Sequence, residues 1–237
     1  MGLIAEGISA VREEMRKACE RASRDPGSVR LIAVSKTKPL ENVREAAAAG
    51  QRAFGENYAQ ELRAKGLALP ELEWHFLGAL QTNKVKLVLG LAALVHTCDR
   101  LALAEELSKR AGREGREGRE GLVQRVLLEV NLGREPQKGG VLPEESLPLL
   151  RAVLALPGLR CEGLMCIPPE DPGSGGARSW FRALRMLRDE LQQSAGEALP
   201  ELSMGMSADY NLAIEEGATL VRVGTAIFGA RDRPAAQ

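Results

Sequence analysis

Apolar residues fall along this chain in two rhythms. Ile4, Ile8, Val11, Met15 and Cys19 recur every three or four positions, which predicts an N-terminal helix within 1–24, stopped by the Asp-Pro-Gly run at 25–27. Beyond it the rhythm changes. Short apolar runs recur at 30–35, 52–55, 74–77, 93–97, 123–131, 159–165, 201–206 and 219–223, and each reads as a strand. Between them, 40–49, 57–65, 82–89, 99–111 and 208–216 have helical character, and another helix is expected around Trp180 and Leu184. The first five are followed by Gly50, Gly66, Gly90, Gly112 and Gly217, where a left-handed helix stop is expected.

Eight strands alternating with helices fit an α/β chain folded as a single (β/α)8 TIM barrel behind its N-terminal helix, at close to the usual size. A doubly wound open sheet uses the same alternation. It calls for a glycine-rich turn after the first strand, and SKTKP at 35–39 has no glycine. The expectation is therefore one barrel domain over 1–237, with a short tail at 232–237. Two stretches stand outside the pattern. AGREGREGREG at 111–121 repeats Arg-Glu-Gly three times and reads as a solvated loop, and GSGG at 173–176 reads as a flexible connection.

Composition narrows the function classes. Thirty-two basic and 32 acidic side chains cancel, so the chain lacks the one-sided field that nucleic acid or anionic lipid binding requires. No apolar run reaches the length of a membrane span, and the first residues show no cleavable signal pattern. Cys19, Cys98, Cys161 and Cys166 show no metal spacing, and only His75 and His96 are present. Free thiols in a reducing cytoplasm, no metal and a monomer are the expectations.

In such a barrel the chemistry collects where strands end. Lys36 and Lys38 follow the first strand, Gly55–Tyr58 the second, Met206–Tyr210 the seventh and Gly224–Gly229 the eighth. Lys36 shares strand parity with Ile32 and Val34. A lysine in an apolar wall loses hydration, its pKa falls, and it becomes a nucleophile for carbonyls; a solvent-facing loop lysine is the plain alternative. Arg222 sits within LVRVG, where burial is costly unless something pairs with it; a structural salt bridge to a neighbouring strand is the plain alternative. Ser207 reads as an N-cap, and Gly224 and Thr225 enter a short helical turn. The loops after strands seven and eight are the recurring phosphate site of this barrel. Together these residues suit a phosphorylated aldehyde such as pyridoxal 5′-phosphate, whose ring nitrogen needs a protein partner.

AVSKTKP, FGENYAQE, WHFLGALQTNK, VN with ExxKGG, GLMCIPP, LSMGMSADY and VRVGTAIFG follow one another from about residue 30 to 231. Seven motifs in this order resemble the YggS/PROSC family of pyridoxal phosphate homeostasis proteins. The resemblance implies a barrel like the N-terminal domain of alanine racemase, the fold-type III arrangement for binding pyridoxal phosphate. It implies that Lys36 forms the Schiff base with the cofactor, that Arg222 faces the pyridine nitrogen, and that Ser207, Gly224 and Thr225 hold the phosphate. Asn57 is expected near the ring and Met206 in the adjoining wall. Cys166 departs from the family's small residue there and adds an expected oxidisable thiol beside the pocket. The family implies reversible storage or delivery of the cofactor to apoenzymes of other pyridoxal phosphate-dependent enzymes, without established turnover. The alternatives are a pyridoxal phosphate-dependent amino acid racemase and, from another class, a cofactor-free Schiff-base aldolase. The racemase relies on a tyrosine from a second domain, and here only RDRPAAQ follows the barrel motifs.

Overall fold

Residues 2–114, 122–169 and 176–230 are described by a computed structural model. Most of the Arg-Glu-Gly repeat, GSGG except its last glycine, and the 232–237 tail lie outside the described residues. Eight parallel strands close on themselves in sequence order: β1 (Arg30–Val34), β2 (Ala53–Glu56), β3 (Glu73–Phe76), β4 (Ala92–Cys98), β5 (Gln124–Glu129), β6 (Leu159–Met165), β7 (Glu201–Ser203) and β8 (Leu220–Val223). The closing pair sets Ile32 beside Arg222 and Arg30 beside Leu220. The open-sheet alternative is thereby excluded.

Two apolar layers hold the barrel. Ile32, Ala53, Leu77, Leu94, Leu127, Met165 and Leu220 fill its interior, with Val34 packed against them. A larger layer joins the outer strand faces to the helices α1 (Leu3–Arg21), α2 (Leu40–Ala48), α3 (Ala59–Ala68), α4 (Val85–Val88), α5 (Leu101–Glu114), α6 (Ser146–Leu154), α7 (Gly176–Ala195), α8 (Tyr210–Glu215) and α9 (Thr225–Phe228). The helix after β8 has only four residues, and α1 packs against it, α8 and α2, covering the seam where the barrel closes. Gly7 permits this contact, since a Cβ there would stand 2.8 Å from the Ala226 carbonyl oxygen.

Several expectations change. Gly50, Gly90 and Gly217 have positive φ and stop helices as expected. Gly66 and Gly112 lie inside α3 and α5, which run on to Ala68 and Glu114; neither has a positive φ. The 82–89 stretch divides into a 3-10 turn at Thr82–Lys84 and the short α4. The sequence pattern names no helix where α6 lies. Leu147, Leu149, Leu150, Val153 and Leu154 crowd that segment and hide its period.

Candidate functional site at the barrel mouth

The C-terminal ends of the strands enclose a cavity of about 310 Å³, lined by Val34, Lys36, Asn57, Leu77, Ile167, Met206, Ser207, Ala208, Arg222, Gly224 and Thr225. All seven residues expected to hold the cofactor therefore line one cavity. Its volume lies at the small end of the range for ligand sites, enough for a single-ring molecule. Val34 and Ile32 face the barrel interior, and Lys36 continues their face just past the strand, half buried. Among the described residues no group of side chains could hold a metal ion, and no helix is long and apolar enough to cross a membrane.

The strand ending that carries Lys36 is gripped from behind. Ser35 Oγ donates to Glu56 Oε1 at 2.6 Å, and Glu61 Oε2 accepts the Thr37 N–H at 2.9 Å. Lys65, rising from α3, donates to the Ser35 carbonyl (2.8 Å), Glu56 Oε1 (2.7 Å) and Glu61 Oε2 (2.9 Å). Thr37 itself takes a left-handed φ of 62°, uncommon for a β-branched residue. Burial pushes the Glu56 carboxyl up to about 7, against the pull of Lys65. Glu56 and Glu61 stand in the FGENYAQE motif, but sequence reasoning gave a role only to Asn57; nothing in the sequence spacing ties Lys65 to Ser35.

Arg222 is 5% exposed. Its Nη1 donates to Ser203 Oγ at 2.6 Å and its Nη2 to the Cys166 carbonyl at 2.9 Å. No carboxylate among the described residues lies within ion-pair distance, so the expected alternative of a structural salt bridge does not hold. A guanidinium carries five N–H donors, which leaves donors over for whatever occupies the mouth. Burial lowers the Arg222 pKa from its ordinary value.

Ser207 is not the N-cap it was expected to be. Asp209 stands before α8, and Ser207 Oγ instead accepts the Gly224 N–H at 3.3 Å, tying the loop after β7 to the end of β8. The N–H groups of Thr225 and Ala226, in the first turn of α9, have no carbonyl one turn back to bond. Cys166 does not line the cavity; it is 1% exposed and burial pushes its thiol up to about 12. An oxidisable thiol needs exposure and thiolate character, so that expectation fails.

Comparison with known proteins fits this geometry. The family model for the alanine racemase N-terminal domain matches residues 8–232. A pyridoxal phosphate homeostasis protein of Aquifex aeolicus is 49% identical over 228 residues, covering 95% of this chain and 97% of that one. PipY of Synechococcus elongatus, solved with pyridoxal phosphate bound, is 40% identical, covers 95% of this chain and 100% of that chain, and superposes with a TM-score of 0.82. Alanine racemase from Corynebacterium glutamicum is 18% identical, with a TM-score of 0.68 over 97% of this chain and 63% of that one; this is a likeness of fold alone. The chain belongs to the pyridoxal phosphate homeostasis protein family, built on the alanine racemase N-terminal domain barrel.

Proposed function

We propose that this chain binds pyridoxal 5′-phosphate reversibly in the barrel mouth and holds it for other enzymes, in a reducing cytoplasm that suits its four buried, unpaired cysteines. The observation that carries the reading is the donor set of one cavity: a lysine, a buried arginine with no carboxylate partner among the described residues, and the hydroxyl and amide groups of the last two loops. That set fits the cofactor group by group. When bound, the cofactor supplies an aldehyde that condenses reversibly with an amine, and Lys36 is the amine at hand. Arg222 can only donate, so it serves a ring nitrogen that carries no proton. Ser207, Thr225 and the amides at the start of α9 give the phosphate hydrogen bonds, and Gly224 brings the backbone close. Asn57 and Met206 close the ring's sides.

The same lining favours holding over turnover. Moving a proton between the two faces of a substrate needs a second acid/base group, and beside Lys36 the described lining offers only amide, hydroxyl, guanidinium and apolar side chains. The names of the relatives point the same way, since these are called homeostasis proteins.

Purified protein loaded with pyridoxal 5′-phosphate should show a visible absorption band that Lys36→Ala abolishes. A colourless protein that cannot be loaded would reject the cofactor reading. Lys36-dependent exchange of amino acid α-hydrogens in deuterated water would overturn the holding role in favour of the enzyme. Mixing loaded protein with a cofactor-free acceptor enzyme separates delivery, with transfer faster than spontaneous release, from storage.

A further inference from the structure

The barrel interior holds a file of buried polar side chains that the cofactor reading does not use. It begins at Arg222, whose Nη1 lies 2.6 Å from Ser203 Oγ. Ser203 Oγ lies 2.8 Å from His96 Nδ1, and His96 Nε2 lies 2.8 Å from His75 Nδ1. His75 Nε2 lies 2.9 Å from Glu73 Oε1. Ser203, His96 and His75 are fully buried, and Arg222 almost so. These side chains come from β8, β7, β4 and β3, and the file runs from the cavity at the mouth to the opposite end of the barrel, where Arg30 Nη1 also reaches Glu73 Oε1 at 3.3 Å.

The two ends dictate the direction of every bond between them. A guanidinium only donates, so Ser203 Oγ receives from Arg222 and has one proton to pass on, to His96 Nδ1. A neutral imidazole has one donor and one acceptor nitrogen, so His96 then donates from Nε2 to His75 Nδ1. His75 in turn donates from Nε2 to Glu73, an ionised carboxylate that only accepts. The reverse order would set an imidazole lone pair against that carboxylate. Burial holds both histidines below the usual imidazole range, and the His75 hydrogen bond holds Glu73 below the usual carboxylate range, so the charge states agree with this order.

We propose that Ser203, His96, His75 and Glu73 form a one-way relay that fixes both histidines as Nε2–H tautomers and, through them, holds the Arg222 guanidinium in place. Glu73 is then a positioning residue for a site it does not touch. The relay turns one Arg222 donor away from the cavity, and the Cys166 carbonyl turns another. The remaining donors keep a fixed aim, with no carboxylate of the described residues within ion-pair distance to take them. The consequence for the ring rests on the cofactor reading above; the tautomers do not.

Nitrogen-15 spectra of the imidazoles in the whole unliganded protein test the relay directly. Both histidines should show an unprotonated Nδ1 and a protonated Nε2 at neutral pH. A proton on His96 Nδ1, or a doubly protonated His75, overturns the proposal, and this measurement needs no variant to fold. Glu73→Gln supplies the second arm. Its amide can donate to His75, which frees the file to reverse, so both histidines should lose their single tautomer. The loaded variant should show a displaced visible band, and its affinity for pyridoxal 5′-phosphate should fall about fivefold or more, the usual span of coupling between separated sites. Ser203→Ala should cut the affinity similarly while the tautomers stay, because Glu73 still anchors the file. Glu73→Gln with unchanged imidazole spectra, an unmoved band and unchanged affinity would show the histidines to be packing only. Wild-type protein with these tautomers that takes up no cofactor supports the relay and removes only the reading of the mouth.

Discussion

The two ends of this barrel treat charge in opposite ways. At the N-terminal end Arg30 bridges Glu73 at 3.3 Å and Glu201 at 2.8 Å, and Arg125 pairs with Glu162 at 2.7 Å. A cavity of about 440 Å³ opens there between α1 and the starts of β1–β3, lined by Arg12, Arg30, Arg52 and Glu73 among others. It is larger than the mouth cavity, yet its cations mostly meet acceptors of the chain itself: Arg12 donates to the Gly50 carbonyl and to Gln51. At the mouth the cation of β8 meets, among the described residues, only a hydroxyl and a carbonyl. Volume alone therefore does not mark a site. Donors left unbalanced do, and this barrel keeps them at the end where its loops gather.

Buried polar groups behind the mouth should accordingly matter far more than paired ones at the base. The largest expected effect is at Lys65, whose ammonium joins the Ser35 carbonyl to Glu56 and Glu61. Lys65→Ala leaves the fully buried Glu56 carboxyl without its ammonium partner, with the Ser35 hydroxyl still on it, which should cost about 3–5 kcal/mol in urea unfolding. A loss as small as that of a surface pair would erase the contrast between the ends. Next comes the cradle. Removing the Ser207 and Thr225 hydroxyls together should weaken cofactor retention about a hundredfold, and Arg222→Ala about tenfold, as bonds to a charged phosphate outweigh one to a neutral ring nitrogen. Equal retention in all variants would refute that division.

Much of this was legible in the sequence, for physical reasons that differ by element. The eight strands announce themselves because a barrel strand is buried on both faces and reads as a continuous apolar run. Lys36 and Arg222 stand out because a charge inside or beside such a run needs an explanation. Other features leave no one-dimensional trace. Gly66 resembles a helix stop because glycine permits one, but nothing in composition says that α3 continues through it. Ser207 looks like a cap because caps are serines; its actual bond, to Gly224, spans two loops. Lys65 lies on a helix 30 residues from Ser35 and meets it only when β1 and β2 pair. His75 and His96 were too few for a metal site, and their contact depends on β3 and β4 being neighbours.

Two smaller effects sharpen the comparison. Burial first and then Asp99 push the carboxyl of Glu129, at the end of β5 beside the mouth, up to about 7, against the pull of Arg222. A carboxyl that holds its proton more tightly when folded favours the fold at low pH, and that contribution is lost as pH rises from about 4.5 through 7. The histidines act with the opposite sign: their lowered values make the fold less favourable as pH drops below the usual imidazole range. Glu129→Gln should therefore gain stability over the wild type as pH rises, by about 1–2 kcal/mol for a half-buried group, with Glu56 left as a group of the same sign. A constant difference across the range would place the titration elsewhere.

The smallest effect is expected at Arg125, which pairs with Glu162 at the base while its side chain stays 34% exposed. A pair that water still reaches gains little from its Coulomb attraction, because solvent screens it and two long side chains must be held in place. Arg125→Ala should cost no more than about 1 kcal/mol in urea unfolding. Cofactor retention should stay at the wild-type level, since Arg125 does not line the mouth cavity and its hydrogen bond goes to Glu162 rather than to the file that ends at Glu73. If this variant instead releases the cofactor as readily as loss of the Ser207 and Thr225 hydroxyls does, the base would be as much a part of the binding machinery as the mouth, and the division of labour between the two ends would have to be abandoned.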